Sequence, residues 1–555
     1  MLAILAFLPI LVIGILMLGF MWPSARAMPV GWGVAVIVAA LAWEMPLVWI
    51  GAAFISGIIN AIDILIIVFG ALLILQLMTR SGGIAGISES MTHISTDRRI
   101  QMLIISWFMV CFFEGAAGFG TPAAVAAPLL VGMGFPPLIA AVVTLLADSV
   151  PVVFGAVGVP IWGGFEAIRT LAPWPLTVDG SVLSFGDFID NVGAVAGIFN
   201  FIGGSLVPLF IIMVMVKMGG GTFKQGLKIW PVALLAGVLF TLPQALIAYF
   251  IGPELPTLLG SLIGMVIFIL LVKFRLLPTA GKWDFPSHDK WPSEWEGVLK
   301  AGEHHLGIER KISPVKAWTP YIVIGLLLLV SRVEVFGLTP ILKSWSIGWS
   351  DILGTSLSRS ITPLYNPGIF PFILIALFIP WLHNLNWKAA SRAWVDVAHM
   401  IVPASIALVF ALGLVYIMMN TGGPSGRDSM LIVLAKTAAA YTGSIWYVVA
   451  PFVGILGAFV SGSATVSNIM FGPFQYGTAI AASLPVTPTL ALQGVGGAVG
   501  NMICIHNVVA VLTTVGLIGK EGLVIRKNIP VCIIYGLLTG IFGWIFTVLF
   551  FAAVY

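Results

Sequence analysis

The sequence predicts an all-α polytopic membrane protein with an inverted repeat of interrupted, re-entrant helices. Three observations carry that prediction. First, 59% of its 555 residues are hydrophobic and only 9% are charged, against roughly 25% charged in soluble domains. Second, the apolar residues fall in runs of about 20, the length a bilayer core demands, with room for about 12–14 spans. Third, two polar, glycine-rich stretches break such runs: 113–122 (Phe-Glu-Gly-Ala-Ala-Gly-Phe-Gly-Thr-Pro) and 460–468 (Val-Ser-Gly-Ser-Ala-Thr-Val-Ser-Asn). Irregular backbone at membrane depth is tolerated only where it is buried in protein or lines a cavity. A matched pair of breaks, one in each half, points to a carrier's binding site near the midplane.

The elements follow in order. The run 2–21 lacks a positively charged start. Ala25-Arg26-Ala27 resembles a signal-peptidase site, but the run is long enough to span and reads as the first helix. Spans at 30–43 and 60–79 precede a basic loop, 80–100, with Arg80, Arg98 and Arg99. The first interrupted unit occupies 101–168, followed by an acidic loop over 169–190. Spans at 191–216, 230–250 and 257–274 complete an N-terminal membrane half, 1–275. A polar stretch over 276–316, with Pro278, Pro286 and Pro292, reads as a solvated cytoplasmic connector. The C-terminal half, 317–555, brings spans at 317–333, 369–382 and 395–419, the second unit at 444–518 and a last span at 529–553. Segment 428–442, with Lys436 in its middle, reads as lying along the interface or packed against the second unit.

Basic loops mark the cytoplasmic side. Those at 80–100, 217–229, 273–316, 383–393 and 519–527 alternate with acidic or nearly neutral ones, which places both termini outside. The two units then run in opposite directions. Gly115-Ala116-Ala117 matches Gly462-Ser463-Ala464 across them.

Several function classes fall away. A net charge of +4 and the lack of a basic run interleaved with aromatics give no footing for nucleic acid. Cys111, Cys504 and Cys532 lie in apolar segments and read as inert thiols. No phosphate-binding Gly-x-x-x-x-Gly-Lys, no His-Glu-x-x-His, no Cys-x-x-Cys and no arginine ladder occurs. The expectation is a carrier rather than an enzyme, with no metal and no cofactor. The bilayer is its certain partner; a homo-oligomer is compatible with the sequence, which sets no oligomeric state.

Helix ends created by a break expose unpaired N–H groups and partial positive charge, and so can hold a small anion without Lys or Arg. The candidate substrate residues are therefore Gly115, Ala116, Gly118, Gly120 and Thr121 in the first break, and Ser461, Gly462, Ser463, Thr465, Ser467 and Asn468 in the second. Small residues can equally serve helix packing alone. Glu114 precedes the first break, and a carboxylate at that depth must be paired, wet or protonated; capping of its own loop is the competing role. Asp148-Ser149, with Pro151 next, marks a further break. Asn501, His506 and Asn507 hold a comparable place after the glycine-rich run 494–497. Asp148, Glu114 and His506 are the candidates for proton coupling, and Asn501 and Asn507 for reading a hydroxyl.

At these residues the chain resembles the lactate permease family. The run 114–122 looks like that family's signature, and Ser95-Thr96-Asp97-Arg98-Arg99, the run 151–160, Ser461-Gly462-Ser463 with Ser467-Asn468, Phe471-Gly472-Pro473-Phe474-Gln475 and the run 516–522 support it. The resemblance implies a bacterial inner-membrane carrier for L-lactate, often also D-lactate and glycolate, driven by proton symport. A more distant similarity to ion-transporter-superfamily carriers implies re-entrant hairpins and an elevator-like transport domain. The sequence departs from the family pattern at Ala464, where an acid is expected, at Asp148, where Asn is expected, and over 501–506, where a run starting with Lys and containing Ser-Pro-Gln is expected. Another small organic anion, sodium coupling through Ser, Thr and Asn oxygens, or a passive anion channel are the competing readings.

Overall fold

Continuous apolar runs do form helices throughout the chain. The computed structural model describes residues 2–20, 22–92, 94–118, 121–178, 181–278, 281–297, 312–332, 336–517 and 519–551. Among these, eleven helices are long and apolar enough to cross a membrane, and six shorter apolar helices of 10–17 residues accompany them. Among the described residues, strand is confined to two small antiparallel hairpins, Leu176–Val178 with Ser181–Leu183 and Ile347–Trp349 with Arg359–Ile361. Large apolar side chains such as Ile4, Leu41, Phe250 and Val548 stay exposed on the outside, as lipid-facing positions must.

The helices sort into two packed groups. In one, Leu47–Ser81 lies along Trp387–Asn420, which also packs on Ser24–Ala42. The close crossing requires glycine: a Cβ on Gly57 would stand 2.8 Å from Gly413 N. Leu47–Ser81 has 35 residues, well beyond the expected 60–79, and stops at Gly82 with φ +83°, the left-handed cap that glycine accepts. Pro314–Arg332 and the helical stretch Gly368–Leu382 pack on this group.

The second group holds the two interrupted units together with Phe185–Gly204, Trp230–Phe250, Pro256–Lys273 and Glu521–Phe550. Phe185–Gly204 starts at a capping box. Ser184 Oγ accepts from Asp187 N–H, and Asp187 accepts from Ser184 N–H. Met430–Thr442 packs against Ala464–Ala481 of the second unit, so the short Lys436 segment has found a protein neighbour.

Each interrupted unit repeats one order of events. In the first, Val110–Ala116 breaks, Thr121–Gly132 and Pro137–Ala147 form a hairpin, and a second break at Asp148 leads through the turn Pro151–Phe154 into Gly155–Trp162. In the second, Trp446–Ser461 breaks at Gly462, Ala464–Ala481 and Val486–Gly500 form the hairpin, and the turn Asn501–Ile503 leads into Ile505–Val515.

The described part of the connector, 281–297, is not free in solvent. Arg98 binds Asp284 (2.8 Å) and the Met133 carbonyl, and Arg99 binds the Gly281 carbonyl. Phe285 meets Phe135 edge-on, Trp295 is buried, and Lys520 donates to the Glu294 carbonyl at 2.9 Å. This segment straps the first unit to the end of the second.

Candidate functional site

The breaks of the two units meet at a small cavity of about 30 Å³. One wall is Glu114 with Gly155, Ala156 and Pro160; the other is Gly462, Ser463, Ala464 and Thr465; Asn501 also lines it. The second break explains its own geometry. Gly462 at φ +83° ends Trp446–Ser461, and Ser463 then caps Ala464–Ala481, with its hydroxyl facing Val466 N–H at 3.5 Å. Ser461 Oγ donates back to the Ser463 carbonyl at 3.0 Å. A new helix start, with its N–H groups, is thus aimed at the cavity.

Behind the Glu114 wall lies Asp148. Both carboxyls are fully enclosed and interact directly with each other. Asn501 Nδ2 donates to the Asp148 carbonyl (2.8 Å) and to its carboxyl (3.4 Å), and Asn507 Nδ2 donates to Asn501 Oδ1 (2.6 Å). A chain therefore runs Asn507–Asn501–Asp148–Glu114 to the cavity. Asp148 and Asn501, both singled out in the sequence, are partners in it. His506 stands apart: it is exposed, beside Gly462, and does not line the cavity.

Other residues singled out in the sequence have packing work. A Cβ on Gly115 would sit 2.5 Å from Leu258 N, so this glycine admits the helix Pro256–Lys273. Ala116 is buried away from the cavity lining. Gly118, at φ +62°, packs under Ala156. Ser467 Oγ donates to the Gly454 carbonyl (2.8 Å), holding the second hairpin to the helix before it. Asn468 Nδ2 donates to the Pro160 carbonyl (2.8 Å) and thereby ties the two units. Gly120 and the Thr121 side chain lie outside the described residues.

The supporting residues were not singled out in the sequence. Three consecutive left-handed residues, Ala156, Val157 and Gly158, carry the chain past the cavity. Such backbone costs about 1–2 kcal/mol per non-glycine residue. Gly158 is obligatory there, since its Cβ would meet the Pro253 carbonyl at 2.1 Å. The carbonyls at the Asp148 break are taken by distant side chains: Asn200 Nδ2 donates to the Val150 carbonyl (2.9 Å) and Thr257 Oγ1 to the Pro151 carbonyl (2.8 Å). Gln244 links those two, and Tyr535 donates to Asn200. In the second unit Asn528 serves the Met502 carbonyl (2.8 Å), and Gln493 bridges Gln475 and Asn468. Lone Asn, Gln and Thr residues within apolar runs were the available signal.

Fold and site together define a multi-pass membrane protein whose polar centre is built from broken helices. Over residues 2–550 the chain matches the family model described as L-lactate permease, and it belongs to that family. A Haemophilus influenzae relative, provisionally named an L-lactate permease, is 30% identical, with 94% of this chain and 93% of that one covered. The L-lactate permease of Bacillus subtilis is 28% identical (92% and 91% covered), and the glycolate permease of Escherichia coli 27% identical (92% and 90%). Among solved structures, the YdaH transporter of Alcanivorax borkumensis overlaps with a TM-score of 0.41 at 13% identity, covering 87% of this chain and 85% of that one.

Proposed function

We propose that this chain is a secondary active carrier of the bacterial inner membrane, not an enzyme. It moves L-lactate and related short 2-hydroxymonocarboxylates, D-lactate and glycolate, in symport with protons. The observation that carries the reading is the small cavity with a helix start on one side and Glu114, backed by Asp148, on the other. Neither Lys nor Arg lines it. A substrate carboxylate is then held by the N–H groups and hydroxyls of Ser463 and Thr465. A charged acid pair beside it repels that anion. Occupancy is favoured when the pair carries a proton, so anion and proton move together. Asn501, backed by Asn507, reads the 2-hydroxyl.

The basic loops support both termini outside and units of opposite direction. The permease names of the relatives support the substrate class.

The test is uptake of labelled L-lactate into proteoliposomes under an inward proton gradient without sodium. Concentrative uptake, collapsed by a protonophore and competed by glycolate and D-lactate, is expected. Uptake that appears only with sodium moves the coupling site to the Ser, Thr and Asn oxygens of the breaks. Flux without saturation makes the protein a channel.

A further inference from the structure

The inner cavity has room for on the order of one or two waters. A hydroxy acid is larger than this space, so the cavity must widen to admit one. A crevice of about 980 Å³ opens between the two helix groups. Arg169, Arg332, Lys343 and Arg359 line it.

Two of these cations, Arg169 and Arg332, are paired with acids, although Arg332 Nη1 is buried without a hydrogen-bond partner among the described residues. Arg169 forks onto Glu166 at 2.5 and 3.1 Å. Arg332 pairs with Glu254 at 3.1 Å and stacks 3.7 Å from the Tyr365 ring centre. Lys343 caps the same ring at 4.6 Å. Arg359 differs. Its guanidinium lies 4.5 Å over the Tyr416 ring, and Nη1 reaches the Ser358 carbonyl at 3.3 Å. Its Nε and Nη2 are buried and have no hydrogen-bond partner among the described residues. Those two N–H groups share one edge of the guanidinium, the fork that matches both oxygens of a carboxylate. Buried and unpaired, they carry a desolvation penalty that an incoming carboxylate removes. Four acids line the crevice: Glu166 is paired with Arg169, Glu254 with Arg332, Asp63 accepts from Asn366 Nδ2 at 2.7 Å, and Asp190 is the fourth.

We propose that Arg359 is an outer carboxylate site, which takes a small monocarboxylate from the crevice before it reaches the inner cavity. The proposal rests on the carrier reading for its substrate, and its test has a readout separate from transport. The native cysteines are buried. Ser360→Cys, on the exposed crevice wall, is labelled in the full chain in lipid nanodiscs with an anionic methanethiosulfonate. L-lactate, glycolate and acetate serve as protectants. Each active protectant is expected to slow labelling, and Arg359→Gln to raise its half-protecting concentration about tenfold or more. Arg359→Lys keeps the charge and loses the fork, so it is expected to weaken protection as well. A Glu114→Gln variant retains protection, because the outer site is filled first. Protection that ignores Arg359→Gln overturns the proposal, as does protection by none of the three acids. If glycolate or acetate protects through Arg359 while no lactate uptake occurs, the outer site stands and the lactate reading fails.

Discussion

Replacing Gly155 by Ala tests the inner site at its tightest contact. The backbone there, φ −62° and ψ 157°, suits alanine, so any effect comes from the added methyl group. That carbon would stand 2.1 Å from Glu114 Oε1, 1.3 Å short of the 3.4 Å where ordinary contact begins. Glu114 lines the cavity, so its carboxyl must swing away from Gly155 into that space and lose its register with Asp148. Overpacking of this kind costs about 1–3 kcal/mol. Purified Gly155→Ala is expected to melt at a lower temperature by tryptophan fluorescence, and to lose proton-driven uptake. Glu114→Asp withdraws the carboxyl by about one bond of 1.5 Å, which matches the deficit. The double variant is therefore expected to recover melting temperature relative to Gly155→Ala alone, with a coupling of about 1 kcal/mol or more, while uptake stays impaired. Wild-type melting and uptake in Gly155→Ala, or strictly additive effects in the pair, would refute the placement of Glu114.

Three further outcomes are expected. Asp148→Asn keeps the Asn501 bond to its backbone carbonyl, so it should fold and exchange labelled lactate, yet lose uphill accumulation driven by pH; full uphill uptake would exclude Asp148 from proton coupling. Asn468→Ala removes the tie to the Pro160 carbonyl and should lower stability by about 0.6–2 kcal/mol, read as a lower melting temperature; an unchanged one argues against the tie. Gly57→Val drives a side chain into the Gly413 backbone and should cost about 1–3 kcal/mol, seen as reduced monodisperse yield on fluorescence-detected size exclusion.

Hydropathy made most of the spans legible, and glycine with Ser, Thr and Pro made the breaks legible. Leu47–Ser81 shows where this fails: Gly51, Ser56, Gly57 and Asn60 dilute its first half, yet those residues are what let a long helix pack closely on its neighbours. Glu114, Asp148 and Asn501 stood out in the sequence because polar side chains in apolar runs need a reason, and the structure brings them together. Gly115 was read as a ligand position because sequence cannot show that Leu258 lies against it. The left-handed run at Ala156 and Val157 was hidden, since neither residue favours that backbone. Asn200, Gln244 and Thr257 were hidden because their partners lie many residues away in the chain. The strap at 281–297 had the composition of a linker, and only its contacts distinguish it from one.

That strap has a consequence for biosynthesis. Its contacts with Arg98 and Phe135 are available as soon as it leaves the ribosome, but Gly297 fits against the Val515 carbonyl, and Glu294 is held by Lys520, 226 positions further on. The strap can seat fully only after almost the whole chain has been translated. A chain stalled before the second unit is complete leaves this tryptophan-rich segment only half anchored, tied to the first unit alone.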